Sequence, residues 1–88
     1  MKIWKFPLGE IVTDEAIALA MPKGAEILYV GSQKDMPCLW AMVNPAADVE
    51  QRWFYLAATG EELPDGKYLG TVFQYDGTYV WHVLEVKQ

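Results

Sequence analysis

Apolar and polar positions alternate most clearly at the carboxyl end, in KYLGTVFQYDGTYVWHVLEVK from Lys67 to Lys87. Two runs rich in β-branched and aromatic residues flank Asp76-Gly77, a pair that accepts the positive φ angles of a two-residue type I′ hairpin turn. That turn sets Tyr75 against Thr78, Phe73 against Val80, Thr71 against His82 and Leu69 against Leu84. One face then carries Leu69, Phe73, Tyr75, Val80, Leu84 and Val86; the other carries Tyr68, Val72, Tyr79, Trp81 and Val83. Both faces are apolar, so both need a cover, from this chain or from another.

The earlier segments follow the same rhythm. Lys2–Leu8 alternates around Ile3, Trp4 and Phe6 and reads as a strand, with Pro7 placing its end at a sheet edge. Ile17, Leu19 and Met21 alternate with alanines, so Thr13–Met21 is read as a strand, although its alanines and its Thr-Asp-Glu start also suit a short helix. Met21-Pro22-Lys23-Gly24 fits a type I turn with Pro at its second position, and Leu63-Pro64-Asp65-Gly66 repeats that chemistry. Ala25–Gln33 and Met36–Val43 form a second candidate hairpin. A two-residue loop at Lys34-Asp35 sets Val30 against Leu39 and Tyr29 against Trp40, but Lys-Asp is a poor type I′ pair, and a longer loop is the other option. One face of this hairpin carries Ile27, Tyr29, Trp40 and Met42; the other carries Leu28, Val30, Leu39 and Val43.

Asn44–Ala58 supports two readings. Asn44-Pro45 suits a helix start, and Val49, Arg52, Trp53 and Leu56 fall at helical spacing. The aromatic run Arg52–Leu56 suits a buried strand equally well, and a turn near Pro45–Val49 followed by a strand over Gln51–Ala58 is preferred. The whole predicts one all-β domain over residues 1–88. Its architecture is a small antiparallel roll, barrel or sandwich of six or seven strands ending in the long hairpin. The alternative is α+β, with one helix over 45–58.

Composition sharpens this picture. Of 88 residues, 52% are hydrophobic and 14% aromatic, while a chain of this size buries only roughly 60–65% of its unfolded surface. The surplus implies self-association or a ligand groove. The net charge is −5, and the basic residues Lys2, Lys5, Lys23, Lys34, Arg52, Lys67 and Lys87 are scattered, which argues against a duplex nucleic acid partner. With Cys38 as the single cysteine no internal disulfide forms, in keeping with a reducing compartment. MKIWKFPLGE lacks the apolar core of a signal peptide, and no apolar run is long enough to span a membrane. The cytoplasm is the expected location, with no membrane partner.

Candidate chemistry is sparse. One His and one Cys do not make a metal site, so no metal is expected. A Cys38–His82 dyad needs the two to meet in space; a buried thiol, and a histidine bonded to the Thr71 hydroxyl opposite, are the simpler roles. Glu61-Glu62, Asp65 and Asp14-Glu15 crowd turns, where acids are ordinarily solvated. No glycine pattern cradles phosphate, and Gly70 inside a strand marks a bulge or the close approach of a neighbour such as a ring. The aromatics are the best lead, because they stack bases or anchor interfaces. The candidate ligand-binding set is Trp40, Arg52, Trp53, Lys67, Tyr79, Trp81 and His82, with the rings stacking and Arg52 or Lys67 meeting phosphate.

Several segments together carry a likeness: Lys2–Leu8, Met21–Leu28, Pro37-Cys38-Leu39-Trp40-Ala41, Tyr68-Leu69-Gly70-Thr71 and Trp81-His82-Val83. Over nearly its whole length the chain resembles a family of small proteins of unknown function encoded by bacteriophages and prophages. The family often has Asn-Gly where this chain has Lys34-Asp35, and Gly-Thr-Gly-His where it reads Ala58-Thr59-Gly60-Glu61. The resemblance implies a phage protein acting in the cytoplasm of an infected bacterium. The expectation is a non-enzymatic, cofactor-free homo-oligomer serving counter-defence, which sequesters a small nucleotide-type immune signal. The alternatives are an inhibitor that binds a host defence protein directly, or a structural phage component.

Overall fold

Leu39, Ala41 and Val43 alternate with Cys38, Trp40 and Met42, the period of two of a strand, and this strand, β4 (Met36–Val43), is the middle one of a sheet because it pairs on both sides. A computed structural model describes residues 1–11 and 14–87. Among these, the chain is all-β without a helix: seven antiparallel strands in two sheets. β1 (Lys2–Pro7) and β3 (Glu26–Gln33) flank β4 in the first sheet. In the second, β2 (Ile17–Pro22), β5 (Val49–Ala58), β7 (Tyr79–Val86) and β6 (Lys67–Gln74) run in that spatial order. No helix of the described residues is long and apolar enough to cross a membrane.

Between the sheets lie Val30, Leu39, Ala41 and Val43 from the first and Met21, Phe54, Leu56, Val72 and Val83 from the second, all buried. Directly paired residues of antiparallel strands share a face, so the registers fix the outer faces too. The first sheet turns Ile3, Lys5, Glu26, Tyr29, Trp40 and Met42 outward. The second turns out Trp53, Tyr55 and Ala57 from β5, Val80, His82, Leu84 and Val86 from β7, and Tyr68, Thr71 and Phe73 from β6.

β5 settles the ambiguity over residues 44–58 as a strand. Asn44 caps a turn instead of a helix: its carbonyl accepts from Ala47 N at 3.0 Å and its side chain from Ala46 N at 3.1 Å. Beyond it, Phe54 and Leu56 enter the core while Trp53 and Tyr55 point out, a division only a strand produces. β2 begins at Ile17; Thr13, where the expected strand started, lies outside the described residues. The turn after β2 sits one residue later than expected. Ala25 N bonds Pro22 O at 3.1 Å, which puts Gly24 (φ 81°) at the position needing positive φ.

Both hairpins adopt the expected registers near their turns, Tyr29 against Trp40 and Thr71 against His82. The loop at Lys34-Asp35 is the two-residue one. Bulges at Leu28 and Leu69 then correct the expected faces. One extra residue reverses every side chain beyond it. Ile27 and Leu69 thereby turn to the core, and Tyr68 joins Leu84 and Phe73 outside. The bulge stands beside Gly70, whose close neighbour is an aliphatic side chain: a Cβ there would fall 2.6 Å from Val30 Cγ2.

Candidate functional site

The tips of the two hairpins meet, and a cleft opens where they do. Lys34 (φ 51°) and Asp35 (φ 61°) form a type I′ turn without Asn or Gly. Asp35 is held from across the gap: its carbonyl accepts from Gln74 Nε2 at 2.8 Å and its carboxylate from Tyr75 N at 3.1 Å. Tyr75 (φ 51°) and Asp76 (φ 54°) are left-handed as well, and Thr78 N closes their turn on Tyr75 O at 3.0 Å. A left-handed residue with a Cβ costs about 1–2 kcal/mol. Lys34, Asp35 and Asp76 adopt this conformation because a type I′ hairpin turn requires positive φ, and at Tyr75 the backbone N–H is held by the Asp35 carboxylate.

Aromatic rings line the cleft. Tyr79 and Trp81, two apart on β7, stack with centroids 6.2 Å apart and planes 21° from parallel. Tyr75 meets Tyr79 edge-on at 6.0 Å, so it leaves the face of Phe73 on which the hairpin pattern placed it. Trp81 Nε1 donates to Gln74 Oε1 at 3.0 Å, which joins the ring to the Asp35 latch. The cleft is open to solvent and measures about 430 Å³, with Met36 and Ile11 in its wall and Lys34 and Glu10 at its charged margin. That volume lies within the range of small-molecule sites.

The seven residues expected to bind ligand are dispersed. Tyr79 and Trp81 share the cleft. Trp40 lies on the outer face of the first sheet beside Tyr29, with ring centroids 5.8 Å apart. Trp53 and His82 lie on the outer face of the second sheet. His82 Nε2 is 2.8 Å from Thr59 Oγ1, and its Nδ1 is 3.1 Å from Tyr68 OH and 3.2 Å from Thr71 Oγ1. Lys67 stands at the far end of the β6–β7 hairpin, in a concavity of about 620 Å³ shared with Asp65, Glu85 and Lys87. Gln74 is seven residue steps away along β6, about 23 Å, too far for one compact ligand to meet both.

Arg52 is engaged inside the protein. Its Nε and Nη2 bond the two Glu85 oxygens at 2.6 and 2.8 Å, and its Nη1 donates to Ala25 O at 2.5 Å. The hydrogen bond to Glu85 holds its ionisation above the usual arginine value, against the opposing effect of burial. Cys38 is buried in the first sheet and His82 faces out from the second, so the two form no dyad. Burial pushes the Cys38 thiol up, and the nearby Lys5 charge only partly offsets it. Among the described residues no group of three His, Cys or acidic side chains converges as metal ligands.

A family model described as a domain of unknown function (DUF7352) matches residues 1–88. The chain belongs to that family. No curated protein and no solved structure matches the chain. Membership of DUF7352 brings no reaction or ligand with it, so the cleft rests on geometry. Sequence reading missed Tyr75, Gln74, Lys34 and Asp35. One signal was present: Gln33-Lys34-Asp35 and Gln74-Tyr75-Asp76 repeat Gln-x-Asp at both tips, each with its last two residues left-handed.

Proposed function

We propose that this protein is a non-enzymatic capture protein that holds a flat, nucleotide-type ligand in the cleft between its hairpin tips. The observation that carries the reading is the stacked pair Tyr79 and Trp81 beside an open cavity, with Tyr79 still 51% exposed. A nucleobase laid on such a pair gains about 1–3 kcal/mol from stacking. Lys34 supplies a cation at the cleft margin, in the role that Arg52, paired to Glu85, does not fill. Holding a ligand in this way needs no covalent step.

The protein acts as a self-associating sponge. With the phage resemblance, the task it fits is counter-defence in an infected bacterial cytoplasm, by withdrawing an immune signal. A second reading, direct inhibition of a host defence protein, draws on the exposed apolar side chains of the first sheet, among them Ile3, Leu28, Tyr29 and Met36. Mass spectrometry of small molecules co-purified with the protein from infected cells separates the two. A stoichiometric nucleotide, lost on Tyr79→Ala, supports capture; a host protein with no small molecule supports direct inhibition.

A further inference from the structure

We infer that the outer face of the second sheet is the surface on which a second copy of this chain docks, face to face about a two-fold axis. The inference names the surface for the self-association proposed above and rests on that part of the reading. The face presents Trp53, Tyr55, Tyr68, Phe73, Val80 and His82. Tyr68 and Phe73 are 51% and 61% exposed.

Charge selects the occupant. The chain carries 12 acidic and 7 basic residues and a net charge of −5, so two copies repel at most orientations. A two-fold contact sets a patch against itself, so an acid lying on or near the axis meets its own copy. β5, β6 and β7 turn no Asp, Glu, Lys or Arg to this face. The outer face of the first sheet, also apolar, bears Lys5 and Glu26. The strands of the second sheet therefore bring no charge of their own to the contact, and the one carboxylate that reaches it, Glu61 from the loop after β5, is held by Tyr55 OH and Ala58 N.

Polar satisfaction points the same way. Covering a polar tip without a partner is costly. Tyr55 OH already donates to Glu61 Oε1 at 3.2 Å. Tyr68 OH, Thr71 Oγ1 and both His82 ring nitrogens are bonded to one another and to Thr59. The network stays whole when water leaves. Four strands about 4.8 Å apart and about 27 Å long give a footprint of about 500 Å². Two such faces bury about 1,000 Å² in total, at the lower bound of a specific interface.

The test is light scattering and sedimentation equilibrium on the wild type, Phe73→Glu and Ile3→Glu, with circular dichroism as the check on folding. The wild type is expected at twice 10.0 kDa. Phe73→Glu is expected folded, with self-association weaker by about a hundredfold or more. Ile3→Glu, on the other sheet, is expected to remain dimeric. Val80→Glu replaces Phe73→Glu if that variant does not fold. A dimer indifferent to charges at 73 and 80, or one broken by Ile3→Glu, overturns the assigned surface and leaves self-association standing. A monomeric wild type overturns both. Nucleotide uptake, measured in parallel, then shows whether capture survives without assembly.

Discussion

Arg52 on β5 and Glu85 on β7 form a two-point ion pair, and the same guanidinium reaches back to Ala25 O in the turn before β3. One side chain thus ties two strands of the second sheet to the start of a strand in the first. Arg52→Ala strands the half-buried Glu85 and frees the Ala25 carbonyl. It is expected to cost about 2 kcal/mol in urea unfolding, below the 3–5 kcal/mol of a fully buried pair because both groups remain partly exposed. Ligand uptake by the folded fraction is expected to stay unchanged. Uptake lost at full stability would return Arg52 to the binding site.

Gly70 of the second sheet lies directly against the Val30 side chain of the first. Gly70→Ala is expected to destabilise the fold by about 1–3 kcal/mol. Val30→Ala carries its own cavity cost, but in a double-mutant cycle the pair is expected to lose less than the sum of the two. Strict additivity in chemical denaturation would mean that the two do not press on each other.

Lys34 offers an effect of opposite signs. Its left-handed backbone suits glycine, so Lys34→Gly is expected to raise stability by about 1 kcal/mol. The same change removes the cation at the cleft margin and is expected to weaken binding of a phosphate-bearing ligand more than that of its nucleoside. A variant that gains stability and binds both as before would exclude Lys34 from recognition.

Two groups contribute to the loss of stability at alkaline pH. Burial raises the Cys38 thiol; desolvation first, then Glu61 and Asp14, raise the Tyr55 phenol. A folded-state pKa above the unfolded one stabilises the protonated form. That contribution is complete below the ordinary values of about 8.5 and 10 and disappears as pH climbs through the folded ones. Thermal stability is therefore expected to hold to about pH 8 and then fall, less steeply in Tyr55→Phe and in Cys38→Ala. At pH 8 a thiol reagent is expected to label Cys38 only at the rate of opening. Fast native labelling would contradict its burial.

Much of the fold was legible because local rules settle it. Asp76-Gly77 set one hairpin register, and alternation around Leu39 set the other. The bulges at Leu28 and Leu69 were not legible, since an extra residue leaves no mark in an apolar run whose two sides are both greasy. Gly70 hinted at one of them. The cleft was half legible: Tyr79 and Trp81 stood out as rings. Tyr75, Gln74, Lys34 and Asp35 became partners only when the hairpin tips met, a contact between residues about forty positions apart that no local pattern encodes. Arg52 read as a phosphate ligand because its partner, Glu85, lies 33 residues away.

Equilibrium dialysis against a cyclic dinucleotide, followed by heat denaturation of the protein, tests capture most directly. The wild type is expected to deplete free ligand and to release it chemically unchanged on denaturation, while folded Tyr79→Ala binds at least about tenfold more weakly. Ligand returned in altered form, or depletion that ignores Tyr79→Ala, would contradict non-covalent capture at the hairpin tips.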